Sequence, residues 1–231
     1  VDGALQRLSL DTLASQWRLR LDDRDPLVLH AGERIVVWQS VVAGLETALV
    51  VNASTGAVEL ATPRAEELWT GGLPKERADA VTTPDGAAFV ASQIIPLCDG
   101  DSLALVRRSG DLARYALGDL QAPPRTVRDA LSQVYAASIN DGLVTIGGRG
   151  GSRVDPRPVV KVLDARTLEE RCSFEPSSRE DVRWAFATAL GEIFVGTTSG
   201  VERWLVGSDG TPIPMLVTRG SNCADALRPN L

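Results

Sequence analysis

Residues 27–38 read LVLHAGERIVVW and residues 47–62 read TALVVNASTGAVELAT. Each is an apolar, β-branched run, a tight turn containing glycine (Gly32, then Gly56), and a second run of the same kind. Such runs joined by a short Gly-containing turn are the strongest local signal for a β-hairpin. Two hairpins in succession make four strands. The first kind of turn returns at Gly86 (AVTTPDGAAFVAS, 80–92), Gly142 (VYAASINDGLVTIGG, 134–148) and Gly191 (WAFATALGEIFVGT, 184–197). The second kind returns at Gly110 (SLALVRRSGDLARYAL, 102–117), near Arg166 (PVVKVLDARTLEERCSF, 158–174) and at Gly210 (VERWLVGSDGTPIPMLV, 201–217). The second turn follows the first by 24 residues in three units and by 19 in the fourth.

A period near 50 residues with two hairpins per unit is a repeat architecture. One four-stranded unit leaves two edges and an apolar face exposed, and radial stacking of such units covers the faces. The expected fold is therefore all-β and β-propeller-like. It has four recognisable four-stranded blades plus a partial N-terminal strand, alone or as part of a larger ring. A β-sandwich or barrel also has short strands and regular turns, but the long period points away from it. The reading takes 1–231 as a single propeller domain, with repeats at about 26–62, 78–118, 133–175 and 183–219. Residues 1–21 are read as the outer strand of a preceding or closing blade. Trp17 stands 14 residues after Gly3, much as Trp69 stands 13 after Gly56.

The units resemble pyrroloquinoline-quinone-type propeller repeats. The resemblance is carried by ALVVNASTGAVEL (48–60) with Trp69 after it, and by VVKVLDARTLEE (159–170). WD-type repeats are similar, although their Trp-Asp dipeptide is absent. The resemblance implies a fold and not a cofactor. The quinone enzymes of that family carry adjacent cysteines and calcium-binding carboxylates, and Cys98, Cys172 and Cys223 are far apart. No cofactor is expected, and fold alone does not license function.

The net charge of −6, from 24 basic and 30 acidic residues, lacks the basic excess that phosphate neutralisation needs. Nucleic acid is not expected as a partner. No apolar run is long enough for a membrane-spanning helix. Three scattered cysteines make a poor disulfide framework and fit a reducing, cytoplasmic setting. A removed leader would make the chain periplasmic or secreted.

In a propeller the long connections gather on one face, and binding is usually built on such loops. Segments 62–77, 92–101, 118–132, 147–158 and 175–183 are read as those loops. The most distinctive is GGRGGSRVDPRP (147–158), which brings Arg149, Arg153 and Arg157 into a glycine-rich segment. Arginine forks onto carboxylate or phosphate, so an anion or an acidic partner is the expected contact. The segment is not a phosphate-binding P-loop. Trp69 with Lys75 and Arg77 forms a second candidate, since a loop tryptophan can anchor a partner. Asp99-Gly100-Asp101 could offer oxygens to calcium, but reads first as a plain turn. Asp22, Asp23 and Asp25 read as a solvated loop. The one histidine, His30, is placed beside a tight turn as a structural residue.

Three functions follow. The first is a non-catalytic scaffold whose long-loop face binds a protein partner, or the rest of a longer chain. The second is a carbohydrate hydrolase or lyase using paired carboxylates. The third is a periplasmic assembly scaffold.

Overall fold

The computed structural model describes residues 3–21, 26–41, 45–62, 80–82, 88–90, 94–119, 122, 124–152 and 155–219. Every regular element among them is a β-strand. The chain divides into two compact units, 1–93 with 116–124, and 94–115 with 125–231.

In the first unit, β3 (Leu27–Ala31), β4 (Arg34–Val41), β5 (Leu45–Asn52) and β6 (Val58–Thr62) form an antiparallel meander. The Ala31–Arg34 pair closes a two-residue turn in which Gly32 takes a positive φ of 59°. Positive φ is cheap for glycine, so the hairpin forms where the sequence places it. Within 1–21, β1 (Gly3–Leu8) and β2 (Ser15–Leu21) pair as a two-stranded antiparallel sheet. Leu5, Trp17, Leu19 and Leu21 of this hairpin pack with Ile35, Val37, Leu49 and Val51. Trp17 lays its ring on Gly56, where an added Cβ would come within 2.6 Å of the indole. Its Nε1–H donates to the Ala53 carbonyl at 3.1 Å.

The second unit holds three four-stranded antiparallel sheets. They are β9 (Ile94–Asp99), β10 (Ser102–Arg107), β11 (Leu112–Ala116) and β12 (Arg125–Val127); β13 (Gln133–Asn140), β14 (Leu143–Ser152), β15 (Asp155–Asp164) and β16 (Glu170–Phe174); and β17 (Val182–Ala187), β18 (Glu192–Thr197), β19 (Gly200–Val206) and β20 (Pro212–Arg219). The middle sheet is covered on both faces. Val144, Ile146 and Leu163 pack with Leu97, Ala104 and Val106. Val160 and Val162 pack with Val182, Ile193 and Val195. The run VVKVL thus splits by parity between two cores, as the two-residue period of a strand requires.

The two best repeat matches share one turn geometry. Asn52 Oδ1 accepts from the backbone N–H of Ser54 and Thr55 at 3.0 Å. Asp164 Oδ1 accepts from Arg166 and Thr167 at 2.9 Å. These Asx turns bond the side chain to the backbone two and three residues on. Leu168 takes the left-handed conformation that Gly56 takes in the first copy (φ 58° and 72°). Its side chain is buried, which offsets the backbone cost.

The structure differs from the expected second repeat, 78–118. The strands flanking the turn expected at Gly86, β7 (Ala80–Thr82) and β8 (Ala88–Val90), form a separate two-stranded sheet, and Gly86 itself lies outside the described residues. The four-stranded sheet instead runs from 94 to 127. Its first turn is Asp99–Ser102, with Gly100 at φ 56°, and Gly110 joins the second and third strands. The sequence IIPLCDGDSLALV is itself an apolar run, an Asp-Gly turn and an apolar run. Every residue of β10 is buried, which draws this hairpin into the core. Asp99 serves as a turn residue and accepts from the Gly142 N–H at 2.9 Å. Two segments expected to be loops, 92–101 and 147–158, are therefore largely strand.

Candidate functional site

The glycine-rich segment is the outer half of a long hairpin. Strands β14 and β15 pair continuously from Leu143–Asp164 to Ser152–Asp155. The glycines are there because neighbours press on them. A Cβ on Gly147 would meet Val182 at 2.4 Å, and one on Gly148 would meet the Gln133 carbonyl oxygen at 1.9 Å. Ser132 fastens the next residue, its N–H and Oγ–H both donating to the Arg149 carbonyl, at 2.8 and 2.7 Å. Arg149 thus projects from a fixed strand and not from a solvated loop.

Arg149 and Arg157 line one cleft of about 350 Å³. Pro156, Pro158 and Pro176 line it with them. Proline has a fixed φ and a small rigid ring, so these walls lose little entropy on binding. The 175–181 connection between β16 and β17 supplies the rest, including Glu175 and Arg179. Arg149 Nε and Nη2 both lie 2.9 Å from Asp181 Oδ1. Arg157 reaches Asp155 Oδ2 at 2.9 Å and Glu175 Oε1 at 3.5 Å. Hydrogen bonding to Asp181 and to Asp155 holds the two guanidinium groups more firmly protonated than usual. Both arginine side chains remain well exposed, at 39% and 57%, so the pairs are weak and open to exchange. Arg179 makes no ion pair with any described residue.

Of the expected binding residues, the structure brings Arg149 and Arg157 together. Arg153, Trp69, Lys75 and Arg77 lie outside the described residues, as do Asp22, Asp23 and Asp25. Arg179, Glu175 and Asp181 lie in the segment 175–183 expected to be a long loop, but sequence reasoning singles out none of them. Nothing local marks them, since Asp181 lies 32 residues from Arg149. Trp38, Trp184 and Trp204 are buried, and His30 is exposed on β3.

A second cleft, of about 280 Å³, lies between the 175–181 connection and the last two strands. Its base is Glu202, 2% exposed. The carboxylate accepts from Ser177 N–H, Ser178 N–H and Trp204 Nε1–H, each at 2.9 Å. Ser178, Ser199 and Thr197 share hydroxyl contacts at 3.2 Å. Burial pushes the thiols of Cys98 and Cys172 up to about 12 and about 11, so neither is a ready nucleophile. Among the described residues no group of three or more His, Cys, Asp or Glu is placed to hold a metal ion. Nor do they contain a helix long and apolar enough to cross a membrane.

No family model and no curated protein sequence matches the chain. Solved structures do. KlAtg21, solved in complex with the coiled coil of AgAtg16, aligns with a TM-score of 0.60 at 13% identity over 92% of this chain. A chain of the mitotic checkpoint complex aligns with a TM-score of 0.56 at 9% identity over 96%. The Myceliophteria thermophila Cps50 (Swd1) β-propeller domain aligns with a TM-score of 0.52 at 12% identity over 95%. The fold these alignments share is that of a β-propeller. The chain spans under two-thirds of each of these neighbours, which are covered to 63%, 62% and 65%. At such identities the likeness carries the fold alone.

Proposed function

We propose that the chain is a non-catalytic propeller scaffold whose cleft at Arg149, Arg157 and Arg179 receives an acidic segment of a protein partner. The observation that carries this reading is the convergence of three arginines on one rigid, proline-lined cleft. Two of them are held by exposed carboxylates of the chain itself. A partner carboxylate can replace Asp155, Glu175 or Asp181 at small cost, because an exposed ion pair is worth about 1 kcal/mol or less. Arg179 has no ion pair with a described residue to exchange. The structures named above include a propeller in complex with a coiled coil and one within a multiprotein assembly. A protein partner here is the same kind of use of the fold.

We read the repeats as the quinone-type variety, without the quinone. Support comes from the Thr55-Gly56 turn, which seats the Trp17 indole and accepts its N–H through Ala53. The same reading keeps Cys98 and Cys172 as free thiols in a cytoplasmic setting.

The test is fluorescence anisotropy of a labelled hexaglutamate peptide with the whole chain, in low and moderate salt. Binding should weaken with salt and fall at least tenfold in the Arg149→Ala/Arg157→Ala/Arg179→Ala variant. Absence of binding, or equal binding by that variant, would overturn the assignment.

A further inference from the structure

The cleft is half made of a connection that belongs to no sheet. Residues 175–181 contribute Glu175, Pro176, Arg179 and the Asp181 that holds Arg149. A seven-residue link between two sheets has no ladder to fix it, yet the cleft needs it in one place. Its backbone is fastened at Ser177 and Ser178, and the fastener is a side chain from strand β19.

We infer that Glu202 is a positioning residue for the cleft: a buried carboxylate that latches the 175–181 connection and so sets Arg179, Glu175 and Asp181 against Arg149 and Arg157. Three observations carry this. Glu202 is 2% exposed, and a carboxylate is kept there only when its oxygens are bonded. Its oxygens are divided between the two link amides: Oε1 accepts from Ser178 N–H, and Oε2 accepts from Ser177 N–H and Trp204 Nε1–H. The third bond fixes the carboxylate itself, because the donor is a buried indole on the same strand, two residues away. The latch is thus anchored in the sheet at one end and grips adjacent amides of the link at the other. Two bonds to successive amides from one anchored side chain define the link's path. The hydroxyl contacts from Ser178 to Ser199 and from Ser199 to Thr197 run alongside and close the same seam.

A residue that merely stabilised the fold would loosen everything together when changed, and this one loosens the link first. The inference rests on the cleft reading for its purpose, but amide exchange tests it without any ligand. In the wild-type chain the Ser177 and Ser178 amides should be protected from hydrogen exchange although they lie outside every strand ladder. Fast exchange there overturns the latch. In Glu202→Gln one link amide should meet an –NH₂ group in place of an acceptor. Ser177 and Ser178 should then exchange at least tenfold faster while Ala185 and Val195 on the neighbouring strands keep their rates. Equal loss at all four sites, or no loss at the link, also overturns it. Labelled hexaglutamate should bind Glu202→Gln severalfold more weakly than wild type. If wild type shows no peptide binding, the cleft assignment fails, and the exchange rates still decide the latch.

Discussion

Changing Gly148 to alanine tests whether the glycine-rich segment is packed strand or loose loop. The new Cβ would lie 1.9 Å from the Gln133 carbonyl oxygen and 2.9 Å from Val134 Cα. Both are backbone atoms of the adjoining strand, so no side chain can rotate aside. More than an ångström of strand separation is needed. Overpacking that side chains can absorb costs about 1–3 kcal/mol, and a backbone clash belongs at the top of that range, about 3 kcal/mol. For a chain of this size that is a drop of roughly 6–12 °C in melting temperature. Gly142→Ala is the comparison. Nothing lies within 4 Å of its added Cβ, so it bears only the strain of φ +73°, about 1 kcal/mol. The assay is urea unfolding followed by tryptophan fluorescence, with thermal melts beside it. If Gly148→Ala is as stable as wild type, or no worse than Gly142→Ala, then 147–151 is a loop and the account of the cleft's rigid wall is wrong.

Two further outcomes are expected. Trp17→Phe keeps most of the ring on Gly56 but loses the bond to the Ala53 carbonyl, and should cost about 1 kcal/mol in urea unfolding; an unchanged midpoint would show that the N-terminal hairpin is not held there. The Arg171 guanidinium, and after it the Thr167 backbone N–H, hold the Asp164 carboxyl down at about 2. A carboxyl lowered on folding stabilises above its unfolded value of roughly 3.9, and that contribution is lost as pH falls through about 2. Asp164→Asn should therefore lose stability at pH 5 and lose less than wild type between pH 4 and pH 2; parallel urea midpoints across that window would refute the assignment.

Much of the fold follows from short-range chemistry. The turns at Gly32, Gly56, Gly142, Gly191 and Gly210 form where the residues place them, because positive φ at glycine and an Asx bond from Asn52 or Asp164 are decided within five residues. The parity of VVKVL needs no more than the strand period. The chain between 80 and 127 was different. It offers two Asp-Gly hairpins, at Gly86 and Gly100, and local propensity does not rank them. The Gly100 hairpin enters the four-stranded sheet with every residue of β10 buried, and burial is a property of the assembled sheets. The glycines of 147–151 misled for the same reason. Alone they read as freedom, while in the structure Val182 and the Gln133 carbonyl leave no room for a side chain. Sequence reasoning could point to Arg149 and Arg157 because arginine in a glycine-rich segment is conspicuous. It could not give Asp181, Glu175, Arg179 or the latch at Glu202, because those residues meet the arginines or the link only after β16, β17 and β19 have packed, and contact across a sheet boundary leaves no periodic trace in the chain.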